Sequence, residues 1–196
     1  MTKNFTSYSQ LKCFGIFLLL ALPILLSARF FEKSPATFFL LNLFLGILAW
    51  TYLEYHFHRF WTHNNNGSSR EAAFRHMHHH QHPTEIKVTA VQRLILFLIS
   101  CGLVSISIVW NNYFTIFTGW AVGFAYSFFS HWMLHQSWSR KLWPHLHRFH
   151  IHHHCRYPNK CFGFTTIFWD VVLKTTPPKN ARIPERIIQF YYGNHQ

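Results

Sequence analysis

The chain has 196 residues, 49 % hydrophobic and 19 % aromatic, with 17 histidines and a net charge of +12. A charged fraction of 12 % argues against a disordered or linker-rich chain, which would carry more charge and less apolar surface. The four cysteines (Cys13, Cys101, Cys155 and Cys161) form no CxxC pair, which argues against a zinc ribbon or a disulfide scaffold.

Four apolar blocks follow one another. Residues 13–27 form a short one interrupted by Pro23, and 34–53 form one without a charged residue. Residues 94–110 and 113–130 complete the set. About 20 residues span a bilayer, and these blocks are apolar around the whole helical circumference, where a soluble core helix keeps a polar face. The expected fold class is therefore all-α and integral to the membrane. About four transmembrane helices in two hairpins are expected to carry a cytoplasmic, histidine-rich helical cap. Lys3 and Lys12 ahead of the first block give it the look of a secretory leader. Leu26-Ser27-Ala28 is a poor cleavage site, however, and the block reads as a retained helix.

With both termini inside, sixteen of the 18 Lys and Arg fall on the inner side, leaving only Arg29 and Lys33 outside. That bias orients the chain. The positive charge then reads as a cytoplasmic skirt against anionic headgroups, not as a nucleic-acid-binding face. The outer turns are short. The inner connection 54–93 and the segment from His131 onward hold sixteen of the 17 histidines, the last, His195, standing next to the C-terminus.

Residues i, i+3 and i+4 share a helix face, so His76, His79 and His80 can converge on a metal, as can His150, His153 and His154. His131 and His135 are also i, i+4. His58 and His63 are five residues apart and diverge by about 140° on a straight helix. Either the helix breaks between them or they serve different metals. One ion takes four to six ligands, so ten clustered imidazoles suggest two neighbouring ions, and imidazole suits Zn, Cu, Fe and Ni. The inner side offers only Glu54, Glu71, Glu85 and Asp170, too few for a carboxylate-bridged site with Glu-x-x-His spacing. A metal-storage tract would be contiguous and terminal, and a metal transporter would place ligands near the bilayer midplane. Neither pattern is present. A His-rich metal-handling membrane protein stands as the non-enzyme alternative.

Glu54-Tyr-His-Phe-His58-Arg-Phe-Trp-Thr-His63 resembles the EYxxHRxxxH opening of the fatty acid hydroxylase / sterol desaturase superfamily. His76-Met-His-His79-His80-Gln-His-Pro83 is similar to its HxxHHxxP box, His131-Trp-Met-Leu-His135 to HxxxH, and His150-Ile-His-His153-His154 to HxxHH. Residues 162–170 resemble the family's FGxTxxxWD. Fatty acid 2-hydroxylases are the most similar branch, with sterol desaturases or carotenoid hydroxylases as alternatives that share the metal site.

The resemblance implies a non-heme diiron monooxygenase of the membrane that uses O2 to hydroxylate a lipid C–H bond. It implies ten ligands to two iron ions, with zinc able to replace iron in purified protein: His58, His63, His76, His79, His80, His131, His135, His150, His153 and His154. No further catalytic residue is expected. Metal-bound imidazoles donate their second N–H to a carboxylate or carbonyl, and Glu54 and Asp170 are the carboxylates expected there. His56, His78, His82, His145, His147 and His152 fall between the family's fixed positions. Trp61, Phe149, Phe162, Phe164, Phe168 and Trp169 read mainly as packing of the cap, with an acyl-tunnel wall as the functional alternative. The expected domains are an N-terminal transmembrane hairpin (1–49), a catalytic domain (50–175) and a basic tail (176–196). No HPGG haem motif and no GxGxxG fingerprint occur, so electrons are expected from a separate cytochrome b5-, ferredoxin- or reductase-like donor. Leu173-Lys174-Thr175 stands where the family often has an FGT-like ending.

Overall fold

The computed structural model describes residues 35–63, 70–83, 90–109 and 115–192, together with Gly15 and Phe30. The first apolar block, its leader reading, the Asn111-Asn112 turn and His195 lie outside these residues, Gly15 apart. All regular structure among the described residues is helical: α1 (Ala36–His56), a π-helical turn (Phe57–Trp61), α2 (Arg70–Gln81), α3 (Ala90–Val109), α4 (Thr115–Leu134), α5 (Ser139–Leu142), α6 (Pro144–Cys155), α7 (Phe168–Val172) and α8 (Glu185–Tyr192). The second, third and fourth apolar blocks thus become α1, α3 and α4, of 21, 20 and 20 residues. One helix among the described residues, Ala36–Trp61, is long and apolar enough to cross a membrane.

The chain divides into two compact units, residues 1–52 with 87–129 and residues 53–86 with 130–196. In the first, α1 and α4 meet backbone to backbone at Gly46 and Gly119. A Cβ on Gly46 would lie 1.9 Å from the Ile116 carbonyl oxygen, and one on Gly119 would lie 2.1 Å from that of Leu43. Small residues at a crossing allow this approach, the usual device where helices pack without a solvent-driven force. Just beyond the crossing, Trp50 sits edge-on to Phe124, centroids 4.6 Å apart. The outward faces remain apolar: Leu40, Leu41 and Phe44 on α1, and Leu94, Ile95 and Leu98 on α3, are half or more exposed. Exposed apolar helix faces of that kind suit a non-aqueous neighbour.

The second unit holds the histidines. Tyr55, Met133 and Leu134 are fully buried in it. Helix α6 opens on Pro144, whose missing N–H and fixed φ suit a first helical position. It buries seven of its 12 residues, five of them histidines. The chain then returns through an irregular segment to α7, closed by backbone bonds from Cys161 N–H to the Thr175 carbonyl (2.9 Å) and from Thr175 N–H to the Asp170 carbonyl (2.8 Å).

Candidate metal centre

His58 and His63 are brought together by a change of helix type. At Phe57 the α-helix widens into the π turn, whose bonding is i→i+5, and the Thr62 N–H reaches the Phe57 carbonyl at 3.1 Å. Residues five apart therefore come round to the same side, and the two rings lie 5.2 Å apart. Of the two options open from the spacing, the helix changes between them, and both face one cluster.

Two clusters result. His58, His63, His76, His80 and His153 form one, and His79, His131, His135 and His154 the other, with the potential ligand atoms of each within 4.8 Å of one another. His150 stands against the second, its Nε2 3.0 Å from that of His135. Helix geometry explains the sorting. Residues i and i+4 differ by about 40°, whereas consecutive residues differ by about 100°. The i, i+4 pair His76/His80 therefore shares the first cluster, and His79 turns to the second. In α6 the pair His150/His154 faces the second cluster, and His153 turns to the first. Each HxxHH triad serves both clusters. They adjoin where His80 and His154 stack, centroids 4.3 Å apart and planes 13° apart.

The donor set fits metal ions. Two nitrogens each about 2.1 Å from one ion stand about 3.0 Å apart at a right angle and about 3.4 Å apart at a tetrahedral one. The Nε2···Nε2 separations are 2.9 Å for His58–His76, 2.8 Å for His76–His80 and 3.2 Å for His63–His153. In the second cluster they are 3.1 Å for His79–His131 and 3.4 Å for His131–His135. Burial holds these rings neutral, so their lone pairs are free to coordinate. It pushes His63 and His80 down to about 4 and His79 to about 3, the last two helped by neighbouring imidazoles. Burial and the imidazoles around them also carry His76, His135, His150, His153 and His154 well below the ordinary histidine range.

Behind the first cluster, the far ring nitrogens are held by backbone. A carbonyl can only accept, so His58 Nδ1–H donates to Phe162 (2.5 Å) and His153 Nδ1–H to Lys160 (2.7 Å). These bonds fix the tautomer that turns Nε2 inward. His80 is likewise hydrogen bonded to the backbone of His154. In the second cluster, the buried Nδ1 atoms of His79 and His150 have no hydrogen-bond partner among the described residues.

Glu54 and Asp170 bond to no histidine among the described residues. Glu54 accepts the N–H groups of Phe164 (3.1 Å) and Thr165 (2.9 Å) and the Thr165 hydroxyl. Asp170 accepts the N–H groups of Phe162 and Gly163, both at 2.9 Å, and the Thr175 hydroxyl at 2.7 Å. Burial pushes the Asp170 carboxyl up, and these donors oppose it. Both carboxylates thus clamp the 162–165 loop, and the loop's carbonyl holds His58. Gly163 is needed there: a Cβ would meet the Thr166 carbonyl oxygen at 2.1 Å.

Sequence reasoning missed the residues that back this clamp. Arg59 Nη1 donates to the Tyr55 hydroxyl (3.0 Å), which in turn lies 2.9 Å from the Thr175 hydroxyl. Since Thr175 donates to Asp170, the chain of bonds runs from Arg59 through Tyr55 and Thr175 to the carboxylate. Ser130 caps the Phe164 carbonyl. The Arg59 and Tyr55 signals lay in the EYxxHR motif, and Thr175 in the departure that closes the match.

The remaining described histidines join neither cluster. His78, His82 and His145 are exposed, and His56 stacks on Phe60 at 5.5 Å. His147 and His152 are buried beyond the clusters. Of the aromatic residues, Phe162 lies 5.5–5.8 Å from His58, His63 and His153, and Phe164 lies 5.0 Å from His131. Trp61 and Phe168 are about half exposed.

The chain is similar to known proteins. The fatty acid hydroxylase family's sequence model matches residues 43–175. The dihydroceramide fatty acyl 2-hydroxylase FAH1 of Arabidopsis thaliana is 28 % identical over 144 residues, 70 % of this chain and 61 % of that protein. The ceramide very long chain fatty acid hydroxylase scs7 of Schizosaccharomyces pombe is 30 % identical over 153 residues, 72 % of this chain and 43 % of that protein. The fatty acid 2-hydroxylase of Mus musculus is 26 % identical over 169 residues, 80 % and 45 % of the two. The chain thus spans less than two thirds of the length of these curated relatives. Among solved structures, full-length scs7p, in which only the hydroxylase domain is visible, shares the fold with a TM-score of 0.60. The two are 22 % identical, and the likeness covers 87 % of this chain and 69 % of that one.

Proposed function

Because this chain belongs to the fatty acid hydroxylase family, we propose that it is a membrane-bound, non-heme diiron oxygenase that hydroxylates a C–H bond of a lipid. The observation that carries the reading is the pair of adjoining, all-imidazole clusters of five and four histidines. His58, His63, His76, His80 and His153 would hold one ion, and His79, His131, His135, His150 and His154 the other. Iron suits the reaction because zinc has no redox chemistry. The bound ions supply the activation of O2, in which a lipid C–H, O2, two electrons and two protons give C–OH and water.

The protein's own share is to hold and shield. Buried, neutral imidazoles, with the tautomers of His58 and His153 fixed by backbone carbonyls, offer their lone pairs inward, and Phe162 and Phe164 cover the rings with apolar surface. The relatives' names point to the acyl chain of a ceramide-type lipid, hydroxylated at its 2-position. Electrons come from a separate donor. Four membrane helices in two hairpins, with both termini and the histidine-rich cap on the cytoplasmic side, are supported by the apolar blocks and the Lys/Arg bias. The catalytic domain is taken as 50–175, between an N-terminal hairpin (1–49) and a basic tail (176–196).

Mass spectrometry of lipid extracts from cells with and without the protein tests the reading. A lipid heavier by about 16 Da, absent when His79→Ala replaces the wild type, is expected from insertion of one oxygen atom. A loss of about 2 Da would instead indicate desaturation, and no change in any lipid would contradict the reading.

A further inference from the structure

Away from the histidine clusters, the second unit carries a groove of about 660 Å³ between α6 and the segment that leads to α8. Arg140, Arg148, Lys179 and Arg182 line it, and no acidic residue does. All four are exposed. The single ion pair among the described residues, Arg75–Glu71, is on α2, so none of the groove's cations is neutralised by a carboxylate there. The walls are built and not merely solvated. Arg148 donates to the Ala181 carbonyl (2.8 Å), and Arg156, outside the groove, donates to the Arg182 carbonyl (3.1 Å), which tie the 181–182 backbone to α6. The rest of the lining mixes polar His147 and Asn180 with apolar Pro144, Ile151, Ala181, Ile183 and Ile188.

Four like charges lining one concave, partly apolar surface repel one another, and an anion in the groove relieves that repulsion. One carboxylate would offset a single cation. A phosphomonoester carries about −1.5 to −2 at neutral pH and offers three acceptor oxygens, which the arginine fork matches in pairs. The volume is that of a small-molecule site. The isoleucine side would cover the apolar stem next to the charged group. We propose that this groove binds a phosphomonoester group, carried on a lipid or as free phosphate.

The test uses the full-length, metal-loaded protein in a neutral detergent. Retention of phosphatidic acid and of phosphatidylcholine is read by native mass spectrometry, and binding of radiolabelled inorganic phosphate by equilibrium dialysis. The double variant Arg140→Gln/Lys179→Gln removes two cations that make no bond to the wall. Arg75→Gln serves as the control outside the groove, and metal content confirms that each variant is folded. Retention of phosphatidic acid over phosphatidylcholine, reduced roughly tenfold or more in the double variant and unchanged in Arg75→Gln, is expected for a lipid source. Binding of inorganic phosphate alone, with the same variant dependence, supports the site and assigns a soluble source. Equal retention of the two lipids without phosphate binding overturns the proposal. So does binding that survives in the folded double variant, or capture of an acidic protein with neither phosphate probe bound.

Discussion

The two histidine clusters draw on the same residue type and on the same helices, α2 and α6, yet different things stand behind their rings. In the first, His58 and His153 donate to the backbone carbonyls of Phe162 and Lys160, and His58's acceptor sits in a loop clamped by Glu54 and Asp170. In the second, the buried Nδ1 atoms of His79 and His150 have no partner among the described residues. The first cluster is thus oriented by hydrogen bonds to irregular backbone. The second is oriented by the register of three helices and by ring-to-ring packing. Two sites of one composition can be built by different means, and they should fail differently.

The largest effects fall on the ligands of either cluster. His153→Ala and His154→Ala should each abolish hydroxylation and lower bound metal from two ions per chain to one or fewer, read by elemental analysis. Equal failure of the two would show that neither cluster works alone. Next come the clamp residues. Gly163→Ala forces a Cβ against the Thr166 carbonyl, and Asp170→Asn turns an amide N–H toward backbone donors. Each should weaken metal binding roughly 10–100-fold at one of two sites and leave the other near its original affinity, read from a metal titration. Loss at both sites would break the distinction between the clusters.

Acid provides a third handle. In the unfolded chain the imidazoles take up protons near their ordinary 6.5, whereas His63 and His80 in the folded chain do so only near 4 and His79 near 3. Below pH 6.5 the unfolded state therefore binds more protons, and folding stability falls as pH drops from about 6.5 toward 4. Thermal melts of the metal-free protein across that window should show a declining midpoint. His63 and His80 should protonate before His79, as followed by NMR of the imidazole groups.

The smallest effect is at Lys174. Its φ of 57° is left-handed, a conformation that glycine adopts freely and a side chain resists. Lys174→Gly should stabilise the protein by about 1 kcal/mol, a rise of roughly 2–4 °C in the midpoint of a detergent melt. Neither cluster should change its metal affinity.

The histidine positions were legible because α-helical periodicity makes HxxHH and HxxxH converge, and the sorting of each triad follows from the same 100° step. His58 and His63 were not, because five-residue spacing diverges on an α-helix and only the π turn brings it round. Helices α1, α3 and α4 were legible as apolar blocks. Their close crossing at Gly46 and Gly119 was not, since two isolated glycines carry no periodic signal. Glu54 and Asp170 stood out as rare acids, but their partners are N–H groups of a loop more than 100 residues beyond Glu54 in the chain. No local pattern announces such a pairing. Thr175 was hidden for the same reason: its value lies in reaching Tyr55 and Asp170, which only the folded chain brings near.

Metal stoichiometry of the purified full-length protein tests the central claim most directly. Two ions per chain are predicted, falling to one or fewer in His80→Ala and equally in His135→Ala, because each variant strikes a different cluster. A wild-type value of one, many loosely held ions removed by brief dialysis, or a count unchanged in both variants would contradict two histidine clusters that each hold a metal.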